Sequence, residues 1–301
     1  MIHISILIPV FNGIDFTKKC LKNLVNQLDQ SISEDVVTSI ILIDDGSSDG
    51  TGKWVSENYP HVKILNGDGG LWWSGSINKG MQYAFDSQNA DAVLWWNNDI
   101  LAGEDYFKNL FQNLLSTELH TVMGSKVYQA SDKMIVWGMG GYFNSKNGKK
   151  GMHAFNVPDS DTLNKPLNVQ WLPGMGTVIT REVYKRTGLL NSNDFPQYHG
   201  DSDYTFRAHL AGYKVKVIPD LKIYNNTENS GLPHGYSFRV FRQSFSSIKS
   251  KYNIKKNLLF YKQYATSPWA YTFLLKEYYR YIGGFIKWNV LSTFGVKKRN
   301  N

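Results

Sequence analysis

Ala92–Val93–Leu94–Trp95–Trp96 is a short apolar run that ends in two amides and a carboxylate, Asn97–Asn98–Asp99. Inside a buried strand each of these groups would lose water and gain nothing. The triplet therefore belongs at the strand's C-terminal edge, where ligands bind in open α/β sheets. There Asp99 could hold a hard divalent cation, which takes oxygen ligands and shares them with substrate phosphates. The competing reading is that Asn97, Asn98 and Asp99 form a turn capping the next helix. The same pattern occurs twice earlier, where Ile8–Pro9–Val10 runs into Phe11–Asn12–Gly13 and Ile41–Leu42–Ile43 into Asp44–Asp45–Gly46–Ser47. Asp45 can accept a hydrogen bond from a base or a sugar hydroxyl. The alternative for Asp44 and Asp45 is an N-cap or an Asx turn around Gly46, although a cap needs one acid and not two. Three such ends along one edge of a parallel sheet describe a nucleotide pocket. Further on, Asp201 and Asp203 open a helix. One carboxylate there favours the helix N-terminus; the other is left to take a proton from a hydroxyl nucleophile.

The elements that must position these residues alternate. Residues 2–10, 38–43, 62–65 and 92–96 read as strands, and residues 15–28, 51–59 and 74–87 as helices, from the spacing of their apolar positions. That alternation predicts an α/β fold with a mainly parallel sheet flanked by helices. A helix follows over 107–115, then short strands over 121–128, 134–137 and 141–143 and a loop-rich stretch over 144–168. The run 169–179 is broken by Pro173–Gly174–Met175–Gly176, helices follow over 181–187 and 201–211, and Pro219 is expected to end the strand that starts at Lys214. Trp72–Trp73 and Trp95–Trp96 read as strand pairs with one ring of each in the core; stacking on a donor or acceptor sugar is the alternative to core packing, and the area a Trp buries favours the core. His199 is either structural or an acceptor contact.

Charge is unevenly placed. The chain of 301 residues carries +8, yet residues 239–301 hold 13 Lys or Arg and one acid, Glu277, while residues 1–238 hold 20 basic and 24 acidic residues. A near-neutral body thus carries a basic tail rich in Tyr, Phe and Trp. An anionic membrane surface suits such a tail first, packing on the body or a second subunit next, and nucleic acid is not expected. The N-terminus reads as a first strand and not as a signal peptide, no apolar stretch is long enough to span a bilayer, and the lone Cys20 suits a reducing compartment. A cytoplasmic protein, peripheral on the inner face of the plasma membrane, is the expectation.

Six pieces follow one another in order: Ile8–Pro9–Val10–Phe11–Asn12, Ile43–Asp44–Asp45–Gly46–Ser47–Ser48–Asp49–Gly50–Thr51, Gly75–Ser76–Ile77–Asn78–Lys79–Gly80, Trp96–Asn97–Asn98–Asp99, Trp171–Leu172–Pro173–Gly174 and Gly200–Asp201–Ser202–Asp203–Tyr204–Thr205–Phe206–Arg207. In that order they resemble the inverting family-2 glycosyltransferases of the GT-A fold, and among them the rhamnosyltransferase-like members that build bacterial surface polysaccharides. The resemblance implies a catalytic domain over 1–238, with a nucleotide-sugar half over 1–103 and an acceptor half over 104–238, followed by a helical extension over 239–301. It implies donor contacts at Pro9, Phe11, Asn12, Asp45, Asn78, Asn97 and Asn98. It places Mg²⁺ or Mn²⁺ on Asp99, the catalytic base at Asp201, and acceptor contacts at Trp171, His199 and Asp203. Asn97 stands where the family often has an Asp, and brings no charge. A further metal contact, often a downstream His, has no match in Tyr224–Asn225–Asn226–Thr227; the next His is His234. The implied partners are a UDP- or dTDP-sugar and a saccharide or lipid-linked saccharide acceptor. Two rival readings are a sugar-phosphate nucleotidyltransferase and a non-catalytic carbohydrate-binding protein. The first would want a Gly-rich, basic loop where Phe11–Asn12–Gly13 stands; the second would not need Asp45, Asp99 and Asp201 at separate element ends.

Overall fold

A computed structural model describes residues 1–116, 120–226 and 237–293. The chain divides into two compact units, Met1–Tyr142 with Met152–Glu228, and Phe143–Gly151 with Asn229–Asn301. The strands are β1 (Ile2–Val10), β2 (Val36–Asp44), β3 (Lys63–Asn66), β4 (Ala92–Trp95), β5 (Ile100–Ala102), β6 (Thr121–Gln129), β7 (Ile135–Gly138), β8 (Gly141–Phe143), β9 (Lys150–Met152), β10 (Val157–Pro158), β11 (Leu167–Asn168), β12 (Thr177–Thr180) and β13 (Lys214–Asn225). The helices of the first unit are α1 (Ile14–Asp29), α2 (Thr51–Asn58), α3 (Trp72–Gln82), α4 (Tyr106–Ser116), α5 (Arg181–Thr187) and α6 (Gly200–Leu210).

β3, β2, β1 and β4 lie side by side and parallel, with Ile6 between Ile40 and Leu94. Both faces of this sheet are covered, which is why its strands read as nearly unbroken apolar runs. Ile4, Ile6 and Ile8 pack with Leu21 and Leu24 of α1, while Leu7, Ile41 and Ile43 pack with Ile77 and Met81 of α3. Beyond β4 the sheet becomes mixed: β12 runs antiparallel to β4, and β6 and β13 pair in parallel. The expected α/β class, a mostly parallel central sheet flanked by helices with further helices at the C-terminus, is what the chain forms.

Three local expectations are corrected. Pro219 does not end its strand: β13 runs on to Asn225, because the register against β6 shifts between Ile218 and Lys222 and the irregularity takes up the proline. Trp72 and Trp73 open α3 and do not lie on a strand. The stretch 144–168 carries short strands and is pinned to β6, where the fully buried Lys126 meets Asp159 at 2.6 Å and Asn164 at 3.0 Å.

The second unit contains α7 (Phe238–Ser244), α8 (Ile254–Tyr264) and α9 (Ala270–Thr293). Its aromatic residues mostly face one another. Phe241 stacks on Phe285 at 3.9 Å, Tyr252 on Tyr281 at 3.7 Å, and the Tyr261 hydroxyl donates to the Gly148 carbonyl at 2.6 Å. The aromatic content that pointed to a membrane surface is therefore largely this unit's own core. The basic residues Lys297, Lys298 and Arg299, and His234, lie outside the described residues. Among the described residues no helix is long and apolar enough to cross a membrane.

Candidate active site

β1 and β2 end side by side, with Val10 opposite Asp44, so the loops that follow them are neighbours and become tied together. The Asn12 N–H donates to Ser47 Oγ at 3.0 Å, and Asn12 Oδ1 accepts from the Ser48 N–H at 2.8 Å. Asn12 holds φ 49, the left-handed region that Asn tolerates better than most residues. Asp49 accepts from the Ile14 N–H and from both the N–H and hydroxyl of Thr51. Partial burial works against it, but these bonds hold the Asp49 carboxyl below the usual range. Pro9 is half-buried, and Phe11 is 55% exposed at the rim.

Asp44 accepts from the Ser47 N–H at 2.8 Å, which closes the turn around Gly46. Asp45 is 4% exposed and accepts three backbone bonds: from Gly69 at 3.0 Å, Leu71 at 3.2 Å and Trp72 at 3.0 Å. Trp72 has φ 57, a costly conformation for a bulky side chain, and persists where its surroundings over-determine it. Its oxygens thus shape the loop that starts α3.

β4 ends beside β1, with Trp95 opposite Leu7. Trp95 and Trp96 face opposite sides of the sheet and are fully buried. Of the polar triplet, Asn97 Oδ1 accepts from Trp73 Nε1 at 2.9 Å, and Asn98 Nδ2 turns onto α1, donating to Thr17 Oγ1 at 3.1 Å. Asp99 differs from both: its Oδ1 is buried with no hydrogen-bond partner. Burial pushes its carboxyl up to about 6. A desolvated carboxylate oxygen without a donor fits a divalent cation. Among the described residues no group of three His, Cys, Asp or Glu surrounds it, so such an ion would complete its shell with amide, water or phosphate oxygens.

On the other side of the site, the Gly174 N–H donates to Asp201 Oδ2 at 2.8 Å, and Asp201 Oδ1 accepts from the Ser202 N–H at 2.7 Å. A side chain at Gly174 would overlap the Trp73 ring. A path of direct contact thus runs from Asn97 through Trp73 and Gly174 to Asp201. The starts of α3 and α6 are clasped as well: Ser74 donates from its N–H to the Pro196 carbonyl at 2.9 Å and from Oγ to the Phe195 carbonyl at 2.6 Å. His199, partly exposed, caps α6 with φ 71. Burial, and then the charge of Asp201, push the neighbouring Tyr198 hydroxyl upward.

One assignment is corrected. Asp203 is fully buried and bonds Arg207 Nε at 3.0 Å, so it holds α6 together and does not meet an acceptor. Asn78 is buried, with its amide bonded both ways to the backbone of Leu190 at 2.9 and 2.8 Å, which ties α3 to the segment before α6. Trp171 is 7% exposed and bridges Gly141 through its backbone. Sequence reasoning missed Trp73 and Ser74 as organisers of the site. Their one signal was position, directly after the turn Gly67–Asp68–Gly69–Gly70.

These residues lie along one edge of an α/β sheet, and the sequence model of Glycosyl transferase family 2 matches residues 5–165. The chain belongs to that family. It is 35% identical over 66 residues to the uncharacterized glycosyltransferase YibD of Escherichia coli (strain K12), a match covering 21% of this chain and 17% of that protein. Its fold is similar to that of GalNAc-T7, solved with UDP, GalNAc and Mn²⁺ (TM-score 0.58, 13% identity, 75% of this chain and 43% of the other). It is also similar to the mannosyltransferase PcManGT from Pyrobaculum calidifontis, solved with GDP-Man and Mn²⁺ (TM-score 0.55, 17% identity, 80% and 61%). A third such structure is S. aureus TarS (TM-score 0.52, 14% identity, 85% and 41%). The chain thus spans less than two thirds of each of these relatives.

Proposed function

We propose that this chain moves a sugar from a UDP- or dTDP-sugar to a saccharide acceptor, lipid-linked and destined for a cell-surface polysaccharide, with inversion at the anomeric carbon and with a divalent cation. The observation that carries this reading is the buried, unpartnered Oδ1 of Asp99 at the sheet edge. Asn97, two residues before it, is joined through Trp73 and Gly174 to the carboxylate of Asp201. The nucleotide sugars and Mn²⁺ in the solved relatives support it. The rhamnosyl preference rests on the sequence motifs alone.

In this reading Phe11, Asn12 and Asn97 line the donor side, and Asp45 acts through the loop it shapes. Asp99 would hold Mg²⁺ or Mn²⁺, and a bound ion would neutralise charge on the departing diphosphate. Asp201, on the first turn of α6, accepts the proton of the acceptor hydroxyl while that oxygen bonds to the anomeric carbon. The bond from that carbon to the diphosphate oxygen breaks, and its electron pair leaves with the nucleoside diphosphate. Gly174 fixes the Asp201 carboxylate through its N–H, which keeps the base oriented. His199, at the same helix start, is placed to contact the acceptor.

The test is calorimetric titration of UDP, dTDP and GDP sugars with Mn²⁺, with Mg²⁺ and with chelator. The expected result is UDP- or dTDP-sugar binding that needs the divalent ion. Equal affinity in chelator removes the metal role, and tight binding of a nucleoside triphosphate with sugar phosphate turns the reading to a nucleotidyltransferase.

A further inference from the structure

α9 has two faces of different chemistry. One face packs inward: Leu274 is buried, and Tyr278, Tyr281 and Phe285 meet the rings of Phe241, Phe245 and Tyr252. The other exposes Leu275, Tyr279, Ile282, Ile286 and Val290, each between 39% and 79% accessible. At about 3.6 residues per turn these five lie within a sector of about 80°. Lys276, Arg280 and Lys287 fall in the adjoining sector, about 40° wide, along one flank. The unit that carries α9 is basic throughout. Its hairpin adds Lys146, Lys149 and Lys150, and the sole acid of residues 239–301, Glu277, is bonded to Arg280 at 2.8 Å. A groove of ≈ 600 Å³ in the same unit repeats the pairing, with Ile248, Ile254, Leu258 and Leu259 beside Lys255 and Lys262.

We propose that this face of α9 lies in the interface of an anionic lipid bilayer, with the aliphatic stripe among the upper acyl chains and Lys276, Arg280 and Lys287 on the lipid phosphates. An apolar stripe flanked by cations on a helix too polar to span is the pattern that binds in the plane of a membrane. Charge excludes a second copy of the same face, since pairing would bring two all-basic flanks together around Glu277 as the only acid. The stripe also argues against nucleic acid: its centre is aliphatic and offers no donor to phosphates or bases. The occupant must be anionic at one level and apolar just beneath it, and a lipid surface is both.

The experiment is flotation of the full chain with vesicles of phosphatidylcholine, alone and mixed with phosphatidylglycerol, at low and high salt, and it involves no sugar transfer. The intact chain is expected to float with the mixed vesicles only, and to be released by salt. The double variant Ile282→Asn, Ile286→Asn replaces exposed residues, and its helix content is checked by circular dichroism. Its partition should fall about tenfold or more. Lys276→Glu with Lys287→Glu should lose the preference for phosphatidylglycerol. The proposal is overturned if the intact chain stays in solution with mixed vesicles at low salt, or if the asparagine variant floats as the parent does. It is overturned equally if light scattering in the absence of lipid finds a dimer that the asparagine variant dissociates.

Discussion

The ends of β2 and β4 are two strand ends on one sheet edge, with only β1 between them, and in sequence they look alike. Each closes an apolar run with acids and amides. In the folded chain they differ in how their carboxylates are satisfied. At β2, Asp44 and Asp45 are surrounded by backbone N–H groups. At β4, Asp99 keeps a buried oxygen with no hydrogen-bond partner among the described residues. A buried carboxylate with three donors is a structural device; one with none is destabilising unless something outside the chain completes it. The same side chain at neighbouring strand ends thus builds the loop in one case and leaves an open valence in the other.

Asp99→Ala is the strongest way to break this contrast. Changes to outer-shell partners of a metal ligand cost about 10–100-fold in affinity, so loss of the ligand itself should cost at least that. Divalent-dependent binding of UDP, read by calorimetry, should disappear. Asp99→Asn should in addition raise the thermal midpoint of the metal-free protein, because a buried unpartnered charge becomes neutral. Unchanged UDP affinity together with an unchanged midpoint would show that Asp99 is no different from Asp45.

Next in size is Asp201→Asn. It keeps shape and the Gly174 contact but removes proton-accepting power, so turnover should fall about a hundredfold or more with donor affinity nearly unchanged. Asp203→Asn should do the reverse, lowering stability more than turnover, since it leaves Arg207 without its buried partner. A larger turnover loss in Asp203→Asn would exchange the two roles.

The contrast was only half legible in sequence. The strand ends themselves were readable, because an apolar run meeting a polar triplet is a local pattern, and so were the start of α2 at Thr51 and the bounds of α5. What each polar residue bonds was not. The donors to Asp45 lie 24 to 27 residues further on, and the partner of Asn78 lies 112 residues away. Such bonds depend on how α3 docks, which no local pattern fixes. The burial of Asp203 had a local signal that was passed over, since Arg207 stands four residues later on the same helix face. In the second unit composition misled: Tyr252, Tyr281 and Phe285 were read as part of a membrane surface, yet Tyr252 stacks on Tyr281 and Phe285 on Phe241, because a small unit must cover its large apolar groups with one another.

Asp45→Ala tests the structural end of the comparison. Three backbone N–H groups lose their acceptor and Trp72 loses a bond that holds its left-handed backbone. The expected cost is about 2–4 kcal/mol in urea unfolding. Loss of UDP affinity with stability intact would restore Asp45 as a direct donor contact.

The smallest effect comes from making the two edges more alike. Asn97 is the neutral member of the β4 triplet, and its Oδ1 already accepts from Trp73 Nε1 at 2.9 Å. Asn97→Asp retains that acceptor, so the path to Gly174 and Asp201 should survive. It also adds a negative charge two residues from Asp99. Without metal the two carboxylates repel, and the thermal midpoint should drop. With Mn²⁺ the second charge joins the ligand field, and UDP should bind a few-fold tighter, since about 1 kcal/mol of added attraction is the scale for a partly exposed charge. The sign of the midpoint change should therefore reverse between chelator and Mn²⁺. A variant destabilised to the same degree in both conditions would mean that the cation is not held jointly by positions 97 and 99. Asp99's open oxygen would then need a different partner.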